Sequence, residues 1–178
     1  MPPDARDEQE LIRRARHGDE RALERLYLAH RQFVVALAQR FTGNRDDALD
    51  VLQDSFATLV KQLPDFELTS TLRAWLYPVV KHHALDRKRR RARLVSLEAT
   101  DPEAELFGES WTPPDGDLAR LVAHLPVGQR EVVHLRFTLG LKLDEIATAL
   151  GVPTGTVKSR LHHALGGLRT LLEKKSPS

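Results

Sequence analysis

Apolar residues recur every three or four positions through most of this chain, the spacing that lines one face of an α-helix. Leu23, Leu26 with Tyr27, His30, Phe33 with Val34, Leu37 and Phe41 form a first stripe. Thr42-Gly43-Asn44 interrupts it with residue types that end one helix and start the next. A second stripe runs through Leu49, Leu52, Phe56, Leu59 with Val60, and Leu63, and stops at Pro64. A third opens near Thr69, passes Leu72, Trp75 with Leu76 and Val79 with Val80, and runs into Arg87-Lys88-Arg89-Arg90-Arg91-Ala92-Arg93. No strand-like alternation competes with these stripes, so residues 1–94 read as an all-helical domain, with helices from about residue 8 to 93.

The pattern lapses over residues 95–117, where Pro102, Gly108, Pro113, Pro114 and Gly116 occur without a sustained period. This segment reads as a linker, with Leu106, Phe107 and Trp111 as docking candidates. Periodicity resumes at Leu118, continues through Leu121, Val122 and Leu125, breaks at Pro126, and returns at Val132, Val133, Leu135 and Phe137. The expected fold class is all-α: two small helical domains, residues 1–94 and 118–178, joined by a flexible linker. Domains of this size bury modest cores and should be of modest stability.

The most specific pattern lies in residues 143–168. Ile146, Ala147 and Leu150 form the inner face of a short helix, and Gly151 supplies the permissive backbone of a tight turn. Val152 plugs the corner, and Pro153-Thr154 opens the next helix with Thr154 as its expected cap. Val157, Leu161, Ala164 with Leu165, and Leu168 face inward, so the opposite face centres on Ser159. Gly155, His162 and His163 surround it, with Lys158 and Arg160 on its shoulders. Small polar groups flanked by long cations suit a recognition helix reading base edges and phosphates. An ordinary hairpin with a solvated face would not need cap, turn glycine, corner valine and polar face to coincide. The motif reads as a DNA-binding helix-turn-helix.

Charge sharpens this picture. The chain of 178 residues has a net charge of +2, but residues 1–94 carry +4, residues 95–117 carry −7 and residues 118–178 carry +5. Two basic blocks flanking an acidic strap suit a polyanion partner for each block. Arg87 to Arg93 holds six cations in seven residues. As the continuation of an amphipathic helix it suits a stripe along a phosphate backbone rather than a solvated tail. The chain has no cysteine, which excludes a disulfide scaffold, a thiolate metal site and a cysteine nucleophile. Its apolar runs are too short for a membrane-spanning helix, and the charged N-terminus is unlike a secretory signal. A soluble, cytoplasmic protein with no membrane insertion is expected. The doublets His82-His83 and His162-His163 point about 100° apart on a helix and chelate poorly. No metal-ligand spacing or phosphate-cradling loop accompanies them. Neither a metal, a cofactor nor a catalytic residue is therefore expected; an enzyme and a dimeric repressor are the competing readings.

These motifs have a familiar order. LPVGQREVVHLRFTLGLKLDEIATALGVPTGTVKSRLHHAL (125–165) resembles region 4 of bacterial sigma factors of the extracytoplasmic-function type. ALDVLQDSF (48–56) followed by LRAWLYPVVKHHALDRKRRR (72–91) resembles their region 2. The resemblance covers roughly residues 8–94 and 118–172. It implies a transcription initiation factor, not an enzyme, that binds the clamp coiled coil and flap of core RNA polymerase, recognises −35 and −10 promoter elements, and helps melt the latter.

The implied site residues follow the matched motifs. Asp50, Gln53 and Asp54 match the positions that dock the polymerase clamp, where carboxylates would meet arginine. Read from pattern alone, they fit a solvated helix face better, and it is the resemblance that reverses this. Trp75 and Tyr77 are candidates for stacking on exposed −10 bases, although Trp75 lies on an apolar stripe and also suits core packing. Lys81, His82 and His83 stand near the position that reads a flipped base, where asparagine is common in the family. Arg87, Arg89 and Arg90 are the candidate phosphate contacts. Pro78, inside this helix, is a departure that should kink it. Thr156, Lys158, Ser159, Arg160, His162 and His163 match the −35 contacts. Gly166-Gly167 replaces cations and weakens the helix, and Lys142 stands where a capping serine is common. The acidic linker would either space the domains or occupy the RNA-exit path, and an anti-sigma factor is a common partner in the group.

Overall fold

The computed structural model describes residues 5–95 and 117–175. Residues 96–116, which include Leu106, Phe107, Trp111 and almost all of the linker expected from sequence, lie outside them. Every regular element among the described residues is helical, and the chain divides into two compact units, Met1–Pro102 and Glu103–Ser178.

The first unit contains α1 (Ala5–Arg16), α2 (Glu20–Thr42), α3 (Arg45–Gln62), a single 3-10 turn at Leu63–Asp65, and α4 (Leu72–Val95). The long α2 packs against the other three helices, and α3 packs against α4. Leu26, Val34 and Leu37 of α2 meet Val51 and Leu59 of α3 and Leu72, Leu76 and Val80 of α4 in a fully buried core. Each such leucine contributes roughly 2–3 kcal/mol through apolar burial. The joint between α2 and α3 follows its local sequence. Gly43 takes the left-handed conformation at φ 68° and donates its N–H to Gln39. Asn44 then caps α3, its side-chain oxygen accepting from Asp46 N–H at 2.7 Å and Asp47 N–H at 3.3 Å. Asp19 caps α2 and is held by Arg14.

A long-range contact sets where α4 begins. The Glu8 carboxylate on α1 accepts the Leu72 N–H at 2.7 Å, satisfying one of the orphan donors of a helix start. Its other oxygen lies 3.0 Å from His30 Nε2 on α2. Glu8, His30 and Leu72 are all buried, so three helices meet at one carboxylate. Pro78 is exposed and does not end α4, which runs on to Val95. Two residues of the second stripe, Leu49 and Val60, are exposed rather than buried. They lie at one margin of it, and Ala48, Val51 and Ser55 on the other side complete the buried face.

The second unit contains α5 (Asp117–Ala123), α6 (Val127–Val133, prolonged by a wide π turn at His134–Thr138), α7 (Leu143–Leu150) and α8 (Thr154–Lys175). α5, α6 and α7 each pack on α8, around Leu121, Val122, Leu125, Val133, Ala164 and Leu168. Arg130 is buried and donates to the Leu125 carbonyl, pinning the turn between α5 and α6. Burial pushes its guanidinium below the usual arginine range. Phe137, expected to face inward, is 62% exposed, because the π turn inserts extra backbone after Val133 and rotates the next residues off the α-helical register. Leu165 is likewise exposed, leaving Ala164 and Leu168 to fill the contact.

Candidate nucleic-acid and partner-binding surfaces

The acidic face of α3 lies alongside the basic half of α4. Asp50 and Asp54 are one helical turn apart, with side chains 50% and 49% exposed, and Gln53 is exposed beside them. The structure brings the three together on the outer face. It also supplies a partner that the sequence reading did not: the Arg87 guanidinium closes on the Asp50 carboxylate through Nη1 and reaches Asp54 through Nη2 at 3.3 Å. Arg91 repeats the pattern one turn further along, with Nη1 2.8 Å from Asp47. Arg87, expected among the phosphate contacts, is therefore corrected to an ion-pair bridge between helices in this conformation. Asp47 and Arg91 belong to the same network and were missed. Their pairing needs α3 and α4 side by side, which no local pattern encodes.

His83 lines a groove with Asp47, Asp54, Arg87 and Arg91 of this network. Thr58 donates its hydroxyl proton to the Asp54 carbonyl at 2.9 Å, so the 2.9 Å contact between Thr58 Oγ1 and His83 Nε2 requires the imidazole to donate. Burial pushes His83 below the usual histidine range, with the Asp54 charge pulling the other way. His82 and Arg89 are seven residues apart and share the outward face of α4 with Arg93; His82 and Arg93 are exposed and Arg89 is partly so. Arg90 is exposed and paired with Asp86 at 2.8 Å. Lys81 is partly exposed.

The two aromatic candidates separate. Tyr77 is 1% exposed and cannot stack on a base without opening the core; that expectation is corrected. It sits between Leu76 and Val80 in the buried face of α4, a face wider than the three-residue spacing suggested. Trp75 is partly exposed. Its ring meets Phe66 edge to face at 5.0 Å and lines an open groove of about 610 Å³ bordered by Lys61, Gln62, Asp65 and Glu67. Trp75 is thus partly packed and borders an open groove that Phe66 also lines.

In the second unit the turn glycine and corner fall where the motif put them. Gly151 is left-handed at φ 63°, and Val152 N–H bonds back to Ala147. α8 starts at Thr154, one residue earlier than a Thr154 cap requires, because the Pro153 carbonyl accepts the first N–H groups, from Thr156 and Val157, and Pro153 takes the cap position. Lys142 offers no side-chain cap to α7; Glu145 instead reaches back to the Lys142 N–H at 2.6 Å. Lys158, Ser159, His162 and His163 are exposed on α8, and Thr156 is partly so. Ser159 donates to the Thr156 carbonyl at 3.0 Å. Arg160 leaves this face: a methyl group placed on Gly128 would come within 3.3 Å of its guanidinium carbon, so it lies against the first turn of α6. Gly167 also has a packing role, since a methyl there would approach Leu125 to 3.3 Å, whereas Gly166 faces open space.

Comparison with known proteins shows which family the two units come from. Residues 26–94 match the model of sigma-70 region 2, and residues 115–166 match that of sigma-70 region 4. The RNA polymerase sigma factor SigV of Bacillus subtilis is 32% identical over 84% of this chain and 90% of its own length. The chain belongs to the sigma-70 family. Its extracytoplasmic-function group is marked by further relatives: the ECF RNA polymerase sigma factor SigM of Mycobacterium tuberculosis is 31% identical over 94% of this chain and 85% of its own. Among solved structures, CnrH in complex with the cytosolic domain of CnrY superposes with a TM-score of 0.66 at 28% identity, covering 96% of this chain and 99% of that one. The sigma factor RpoE of Bartonella quintana, solved with the anti-sigma factor NepR, gives 0.52 at 25% identity over 80% and 91%. This sigma factor therefore acts in promoter-directed transcription initiation, and its DNA-binding units are the two just described. No described helix is long and apolar enough to cross a membrane.

Proposed function

We propose that the exposed α3 face of Asp50, Gln53 and Asp54 docks the clamp coiled coil of core RNA polymerase, and that the second unit engages the flap. α4 carries the −10 contacts: Trp75 stacks an unpaired base at its groove, His82 reads an adjacent base edge, and Arg89 and Arg90 track the phosphates. α8 enters the major groove at the −35 element with Lys158, Ser159, His162 and His163. Residues 1–94 and 118–178 are the working domains. The observation that carries this assignment is the side-by-side exposure of two carboxylates and an amide on a helix whose neighbour is the basic helix of the matched region. Such carboxylates accept charge-assisted, bidentate hydrogen bonds from arginine on a partner.

The reading places this sigma factor in the cytoplasm, with no cofactor or resident metal. Two structural relatives were solved with a partner, CnrH with the cytosolic domain of CnrY and RpoE with the anti-sigma factor NepR, and an anti-sigma factor covering the same faces is the corresponding regulator here. Transcription in vitro from fragmented genomic DNA tests the whole reading. Core polymerase plus this protein should start at discrete sites that share paired upstream elements. A palindromic footprint made by the protein alone, with no new start sites, would overturn it in favour of a repressor.

A further inference from the structure

The proposed clamp-docking carboxylates and the basic stripe are not separate surfaces, because they hold each other. Arg87 bridges Asp50 and Asp54, and Arg91 pairs with Asp47. Two of the cations that would strengthen binding to a polyanion are thereby neutralised within the unit. The pairs stay partly hydrated, since the Arg87 side chain is 32% exposed and the two aspartates about half. Ion pairs at that exposure are weak and exchange readily.

We infer that Arg87 is a shared ion-pair partner that makes polymerase docking and DNA binding cooperative. In the free protein it is held by Asp50 and Asp54. When an arginine- or lysine-bearing polymerase surface takes those carboxylates, Arg87 is released to a phosphate of the melted strand. Linkage then works in both directions: DNA that draws Arg87 away uncovers the carboxylates for the clamp. The partly exposed Arg89 and the exposed Arg93 have no such tie among the described residues, so they supply the affinity for DNA that the free protein already has. This rests on the clamp-docking reading of α3, but its test does not need polymerase.

Binding of the free, full-length protein to a short fluorescein-labelled single-stranded DNA oligonucleotide, followed by anisotropy across a salt series, reads the exchange. Asp50→Ala/Asp54→Ala should tighten binding about two- to five-fold at low salt, and steepen the salt slope by about 0.7, one phosphate contact on a single strand. Arg87→Ala alone should change the slope little, and adding it to the double variant should cancel the gain in slope. That non-additivity separates release of Arg87 from a general change of charge. A double variant that merely unfolded would lose affinity instead, and circular dichroism identifies that case. A gain that persists without Arg87, or no gain in a folded double variant, overturns the inference. Failure of the clamp-docking reading shows separately, as unchanged core binding by the double variant.

Discussion

The two helices proposed to face DNA, α4 and α8, solve the same electrostatic problem differently. On α4 the cations nearest the neighbouring helix are engaged by the protein's own carboxylates, Arg87 and Arg91 by α3 and Arg90 by Asp86. On the exposed face of α8, the cation Lys158 carries no ion pair among the described residues. The contrast follows from packing. α4 lies alongside a helix with an acidic face, whereas α8 is packed by α5, α6 and α7 and leaves its polar face open. A surface whose cations are already free contributes to DNA affinity at once, while a self-paired surface contributes fully only after its partners are taken. On the proposed reading, the second unit is built for duplex binding, and the first for binding conditional on a partner.

The largest way to break this contrast is to loosen α4 itself. Glu8→Ala removes the acceptor of the buried Leu72 N–H and leaves His30 without its carboxylate, which should cost roughly 2–3 kcal/mol of first-unit stability. Chemical denaturation should show that loss in the first unit's transition, with the second unit unchanged. A comparable shift in both units would mean that they are not independently stabilised.

Salt dependence sharpens it. Lys158→Ala should lower the salt slope for duplex −35 DNA by about 0.9, the value of one phosphate contact on B-form DNA. Arg87→Ala should barely alter the slope of the free protein on single-stranded DNA. Equal losses at the two positions would erase the distinction between free and self-paired cations.

How far these features were legible in the sequence depends on their range. Gly43-Asn44 and Gly151-Val152 act within a few residues, and their cap and turn roles could be read directly. The stripes gave the helices, but the buried face of α3 is rotated from the one they suggested, which exposes Leu49 and Val60. The π turn after Val133 has no signature in a three- or four-residue period, so Phe137 was misplaced. Tyr77 was assigned by aromatic character, and only the packing of α4 against α2 and α3 decides that it is core. The Glu8–His30–Leu72 junction and the Arg87 bridge join residues far apart in the chain, and a single sequence carries no local trace of either. The outward residues of α8, by contrast, were legible because helical geometry alone sets them opposite Val157 and Leu168.

A smaller effect involves His83. Its imidazole is held below the ordinary value of 6.5 by burial, so the unfolded chain binds its proton more readily than the folded one. The stability that depends on neutral His83 is complete above about pH 6.5 and is lost as pH falls toward the folded value. His83→Gln should therefore flatten the acid side of the first unit's stability profile, and denaturation midpoints at successive pH values measure this. The smallest test compares neighbouring glycines on α8. Gly166→Ala, facing open space, should stabilise the second unit by about 0.5–1 kcal/mol. Gly167→Ala, crowded by Leu125, should gain less, and thermal melts resolve the order.

The most direct measurement is co-purification with core RNA polymerase, wild type beside Asp50→Ala/Asp54→Ala. Wild-type protein should be retained by core, and the folded double variant should be lost from it while still binding DNA. Equal retention of both would contradict the assignment of the α3 face, and no retention of wild type freed of any inhibitor would contradict the initiation-factor reading itself.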